Sequence, residues 1–120
     1  MGHHDGIEDE WDDAGTADRV AEREHDARLV AAALAGDPDA FGALYDRWFD
    51  RVHHLVAGIL GDREAVADTC QDTFLAAWRG LPRLADHLAF GGWLLRIARN
   101  AAYDRSAAAR RSRPVDDEEL

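Results

Sequence analysis

The chain has 120 residues and a formal net charge of −10, a length that suits one domain with one core. Its hydrophobic share of 47% makes metal or disulfide staples unnecessary, and the single cysteine, Cys70, excludes an internal disulfide. No apolar run approaches the roughly 18 residues of a membrane span and the N-terminus lacks a signal-peptide core, so a reducing, cytoplasmic setting with no membrane partner is expected.

Residues 1–25 are polar, acidic and almost without periodicity. They read as a disordered arm that turns helical from about Thr16. His3 and His4 are too few ligands for a closed metal site. The first clear helix is expected from about Asp26 to Ala35, with Leu29, Val30, Ala33 and Leu34 on one face. Gly36, Asp37 and Pro38 punctuate it; Asp37 suits an N-cap and Pro38 a first helical turn.

The second helix is expected from Pro38 to about Leu60. Phe41, Leu44, Tyr45, Trp48, Val52, Leu55, Val56 and Ile59 form a continuous apolar stripe, which makes it the main core element. His53 and His54 are adjacent and point about 100° apart, so they cannot serve one site from a regular helix. Gly61 is expected as a left-handed stop and Asp62 as the cap of a third helix ending near Arg79, with Gly80 as its stop. On that helix Val66, Cys70, Phe74, Ala77 and Trp78 share an apolar face. Cys70 there reads as a small buried hydrophobe. Asp68, Gln71, Asp72 and Leu75 share a different face, acidic and amide-bearing; a solvated surface and a docking surface both fit it.

Pro82 prevents simple continuation, so Leu81 to His87 reads as a connector. The fourth helix is expected from Leu88 or Ala89 to about Arg110, with Phe90, Trp93, Leu94, Ile97, Ala98 and Ala101 inward. Gly91 and Gly92 weaken its first turn by roughly 1 kcal/mol each relative to Ala. Residues 106–113 are expected to fray, Pro114 ends the helix, and Val115 to Leu120 reads as the start of an acidic linker.

Charge is distributed unevenly. Residues 1–26 hold ten acidic side chains against Arg19 and Arg23, whereas residues 91–113 hold six arginines against Asp104 alone. Nucleic-acid binding depends on the local field, so the acidic average does not exclude it. Arg96, Arg99, Asn100 and Tyr103 lie three or four apart and can share an outward face. Arg neutralises phosphate, Asn can read a base edge bidentately, and an aromatic ring can stack on an exposed base. An ordinary amphipathic helix with solvated arginines fits the same pattern. No phosphate loop, HExxH or nucleophile elbow is present, and the carboxylates fall in tails, caps and exposed faces. No catalytic residue, metal ligand or cofactor is therefore expected.

Three stretches occur in one order: AGDPDAFGALY from Ala35 to Tyr45, DTCQDTFLAAW from Asp68 to Trp78, and FGGWLLRIARN from Phe90 to Asn100. Together they resemble region 2 of the extracytoplasmic-function (group IV) sigma factors of bacterial RNA polymerase. The resemblance covers roughly residues 26–113. The chain departs from the family pattern in three places. Cys70 stands where an aliphatic residue is usual, Gly91 and Gly92 replace bulkier residues, and Leu84 to Leu88 lacks the usual Phe-Arg-Gly run.

The resemblance implies an all-α bundle of about four helices over residues 26–113, with residues 114–120 opening an interdomain linker. It implies a transcription initiation factor domain, not an enzyme. Asp68, Gln71 and Asp72 would dock on the β′ coiled coil of core RNA polymerase, while Phe74 and Trp78 would mainly pack. The connector, with Asp86 and His87, and the fourth helix, with Trp93, Arg96, Arg99, Asn100, Tyr103 and Arg105, would hold the promoter −10 element as single-stranded non-template DNA. Asn100 is the expected base reader, the arginines the phosphate contacts, and Trp93 a support from the core. The family's second DNA-binding domain, region 4, has no counterpart in these residues, so a fragment is expected. An anti-sigma factor is a further expected partner. The rival reading is a helical protein-interaction module that binds an acidic or anti-sigma-like regulator. It has no need of both an acidic third-helix face and Asn100.

Overall fold

A computed structural model describes the backbone of residues 2–112, with side chains from residue 15 onward. Four helices appear in chain order: α1 (Gly2–Leu34), α2 (Pro38–Ile59), α3 (Arg63–Gly80) and α4 (Phe90–Ser112). No strand occurs among the described residues. Two short 3₁₀ turns, Leu81–Arg83 and His87–Ala89, carry the connector between α3 and α4. The expected linker, residues 114–120, lies outside the described residues.

The α1 to α2 corner follows its local chemistry. Gly36 takes φ of 103°, the left-handed value that only glycine adopts freely. The Asp37 N–H then donates to Ala32 O at 3.0 Å and the Gly36 N–H to Ala33 O at 3.1 Å, satisfying carbonyls the helix end would orphan. Asp37 caps α2 by accepting from the Asp39 N–H at 3.0 Å, with Pro38 in the first turn.

Other boundaries differ from expectation. Helix α1 runs back to Gly2, so the segment from Thr16 to His25 is continuous with the first helix and no break occurs near Asp26. The arm over residues 1–14 falls where no side chains are described. Gly61 is not left-handed; α2 ends because Leu60 turns extended and buries its side chain, leaving Asp62 to cap α3 through the Ala65 N–H at 2.9 Å. Gly80 is right-handed and belongs to α3. Its need is steric, since an added Cβ would stand 3.2 Å from Trp93 Cζ2. Helix α4 starts at Phe90, one or two residues later than expected, and stays helical to Ser112, through residues expected to fray.

The core is the stripe of α2, with Leu44, Trp48, Val52 and Val56 buried, met by Val30 of α1, Val66 and Phe74 of α3, and Phe90, Leu94 and Ala98 of α4. Helix α3 makes its most extensive contact with α4. Small buried residues on both helices, Thr69, Thr73 and Ala77 against Ala98 and Ala102, suit a close approach. The two threonines are wholly buried because each hydroxyl donates one turn back, to Ala65 O at 2.7 Å and Thr69 O at 2.8 Å.

Asp26 clasps α1 to α2. Its carboxylate is buried and accepts from Arg47 Nε at 2.7 Å and from Trp48 Nε1 at 3.1 Å. The residue expected to open a helix is thus an interior anchor, with both oxygens engaged as burial of a charge requires.

Candidate docking and nucleic-acid interfaces

Helix α3 presents Asp68, Gln71 and Asp72 to solvent, with Leu75 44% exposed among them. The opposite face is closed by Thr69, Thr73 and Phe74, and this fixes the rotation of the acidic face. Beside that face lies a groove of about 690 Å³, walled by Phe41, Tyr45 and Phe49 of α2 and by Phe74, Leu75 and Trp78 of α3. Tyr45 and Phe74 rings stand 4.5 Å apart, and Phe41 meets Trp78 edge-on at 4.9 Å.

Trp78 corrects an expectation. Read as a packing residue, it is 49% exposed, with its ring on Phe41 at the groove rim. Tyr45, placed on the apolar stripe, is also exposed. The sequence held a signal for this: the apolar arc of α3, counting Leu75, is wider than one neighbouring helix can cover. Cys70 lines the groove, where burial pushes its thiol pKa up.

On α4, Arg96, Arg99, Asn100 and Tyr103 are all exposed, as their spacing required. Trp93 is half-buried, with Phe90 5.9 Å away on one side and Gly80 on another. Arg105 differs from the other arginines. Its Nη2 donates to Asp72 Oδ2 at 2.9 Å, so the α4 arginine and the α3 carboxylate are one ion pair.

The connector is held by its own short turns. Leu84 is buried, and Asp86 accepts from the Leu88 N–H at 3.0 Å, capping the turn His87–Ala89. This leaves Leu88 47% exposed. A cleft of about 820 Å³ opens between the connector, the start of α4 and the described N-terminal part of α1. Asp86, Trp93 and Arg96 line it, whereas His87, Arg99, Asn100, Tyr103 and Arg105 do not. The expected nucleic-acid residues therefore divide into a cleft and an open helix face, with Arg96 at the junction.

Sequence reading missed three contributors to this cleft: Trp48, Arg51 and α1 itself. Trp48 closes its base beneath Gly91, where an added Cβ would run into the indole ring carbons; Gly92 faces open space. The glycine pair thus holds one residue that makes room for an indole and one that does not.

A match to Sigma-70 region 2 spans residues 44–112. The chain belongs to the sigma-70 region 2 family. Its relatives are of the extracytoplasmic-function type. The chain is 37% identical over 83 residues to the ECF RNA polymerase sigma factor BldN of Streptomyces coelicolor, covering 68% of this chain and 31% of BldN. It is 37% identical over 94 residues to the ECF sigma factor SigM of Mycobacterium tuberculosis H37Rv, covering 77% and 48%. The ECF sigma-E factor of Haemophilus influenzae is 33% identical over 98 residues, covering 82% and 51%. The chain thus spans about half or less of the length of these curated relatives. Among solved structures, an engineered region 2 of sigmaE in complex with GTAAAA, determined by NMR, superposes with a TM-score of 0.65 at 34% identity, covering 72% of this chain and 90% of that one. The domain is accordingly an ECF sigma region 2, in a family of non-enzymatic transcription factors. Among the described residues no helix is long and apolar enough to cross a membrane.

Proposed function

We propose that this domain binds core RNA polymerase through α3 and recognises a promoter −10 element, as melted non-template DNA, through the connector and α4. The observation that carries the reading is the exposed row Arg96, Arg99, Asn100 and Tyr103, continuous through Arg96 with the connector cleft. Its likeness to an engineered sigmaE region 2 solved with a six-nucleotide strand supports it. Such a strand needs cations for its phosphates, ring faces for stacking and one bidentate amide for reading, and those four residues supply all three. The cleft suits a base turned out of the stack, with Trp93 and Leu88 as apolar walls.

Asp68, Gln71 and Asp72 form the docking face for the β′ coiled coil. The neighbouring aromatic groove adds apolar area that an acidic face alone lacks. An anti-sigma regulator covering the same groove is the second reading; half-exposed Tyr45, Leu75 and Trp78 favour a protein partner there. Both partners imply a cytoplasmic protein. Titration of a labelled single strand carrying the −10 element, at several salt concentrations, tests the DNA assignment. Saturable binding that prefers this strand over a scrambled one is expected; salt-sensitive binding without preference would reduce α4 to a basic surface.

A further inference from the structure

Arg51 lies on α2, outside every stretch that carries the family resemblance, yet it faces the connector cleft. Its side chain is 46% exposed. The guanidinium carbon sits 3.8 Å from the Trp48 ring centroid. That ring is held on three sides. Its Nε1 is tied to Asp26, Gly91 lies against its edge, and Phe90 packs edge-on with centroids 6.4 Å apart. Trp48 is a fixed platform, and a guanidinium stacked on it keeps its N–H edge directed outward.

What holds that edge is weak. Nη2 meets the Arg47 carbonyl at 3.5 Å, and the same atom meets Glu22 Oε1 of α1 at 3.5 Å, in a single contact between two half-exposed side chains. Surface pairs of this kind contribute little. Phosphate or a base edge could offer the same fork two acceptors at shorter range. Glu24 and Asp86 also line the cleft and oppose an anion; Asp26 is already committed to Arg47 and Trp48.

We propose that Arg51 is a further nucleic-acid contact of this domain, presented on the Trp48 platform opposite the connector and masked by Glu22 of α1. The inference rests on the −10 reading above and adds a contact from a second helix, together with the carboxylate that must let go of it. The DNA strand then runs through a cleft with cations on both walls, Arg96 on one and Arg51 on the other.

The test is a fluorescence-anisotropy titration of the full 120-residue chain with single-stranded −10 and scrambled oligonucleotides over a salt series. Arg51→Gln should weaken binding about tenfold and lower the log–log salt slope by about 0.7. Glu22→Gln should tighten it about threefold at low salt. In the double variant the gain from Glu22→Gln should vanish, because the guanidinium that Glu22 contacts is gone. Thermal unfolding checks that each variant is folded, and the Glu22→Gln arm keeps Arg51 in place throughout. Wild-type binding by Arg51→Gln would overturn the contact. An undiminished gain from Glu22→Gln in the Arg51→Gln background would overturn the masking and make Glu22 a general repulsive charge. Both outcomes leave preferential binding by the wild-type chain intact. A wild-type chain that binds neither oligonucleotide would instead sink the −10 reading, and this inference with it.

Discussion

Arg105 of α4 and Asp72 of α3 share one ion pair, Nη2 to Oδ2 at 2.9 Å. It joins the helix read as facing DNA to the helix read as facing polymerase. Both side chains are more than a third exposed, so the pair contributes at most about 0.5 kcal/mol after solvent screening. On the proposed docking role its importance is in placing the carboxylate, because a held Asp72 would meet a partner's cation without first losing side-chain freedom.

Asp72→Arg therefore faces two cations, Arg105 and whatever the partner presents. Capture of core polymerase should fall at least about tenfold, since reversed charges at a desolvated contact cost several kcal/mol, while helicity by circular dichroism stays unchanged. Arg105→Ala should reduce capture much less, because the carboxylate survives. Retained capture by Asp72→Arg in a pull-down would remove α3 as the docking helix.

Asp26→Ala should be the most damaging substitution outside the apolar core. It leaves the Trp48 N–H and the Arg47 guanidinium without their buried acceptor, a loss of about 3 kcal/mol in urea-midpoint measurements. A change below about 0.5 kcal/mol, the usual range for a surface substitution, would show that the clasp between α1 and α2 does not stabilise the fold.

The two adjacent glycines of α4 should respond with opposite signs. Gly91→Ala sets a methyl against the Trp48 ring; overpacking of about 1–3 kcal/mol outweighs a helix-propensity gain of roughly 1 kcal/mol, so the domain loses stability. Gly92→Ala meets open space and should gain up to about 1 kcal/mol. Thermal melts of the two single variants settle the comparison, and equal shifts would contradict the packing of Trp48 on Gly91.

Most of the fold was legible because α2 carries one long apolar stripe and because the caps Asp37 and Asp62 have short, local partners. The exposed faces of α3 and α4 were legible for the same reason, as spacing alone separates Asp68, Gln71 and Asp72 from Phe74, and Arg96 and Asn100 from Leu94. What escaped was whatever depends on a second helix. The acidic pattern of residues 16–25 gave no sign that this segment would border the connector cleft. Trp48 read only as core, since nothing local reveals that Gly91 makes room for it. Nor does the α3 pattern show that Thr69 and Thr73 are buried against α4, their hydroxyls bonded one turn back. The Arg105–Asp72 pair was not legible because its carboxylate lies on another helix.

Sequence reading by Asn100 would separate DNA recognition from charge attraction, and one comparison isolates it. Asn100→Ala and Arg96→Ala are each titrated with a strand selected from a random pool for tight binding, and with a scrambled strand, over a salt series. Asn100→Ala should lose about 1–3 kcal/mol on the selected strand, little on the scrambled one, and keep the wild-type salt slope because no charge is removed. Arg96→Ala should weaken both strands alike and lower the slope by about 0.7. Equal losses on the two strands for Asn100→Ala would contradict base reading from α4 and move it to the connector from Leu84 to Leu88.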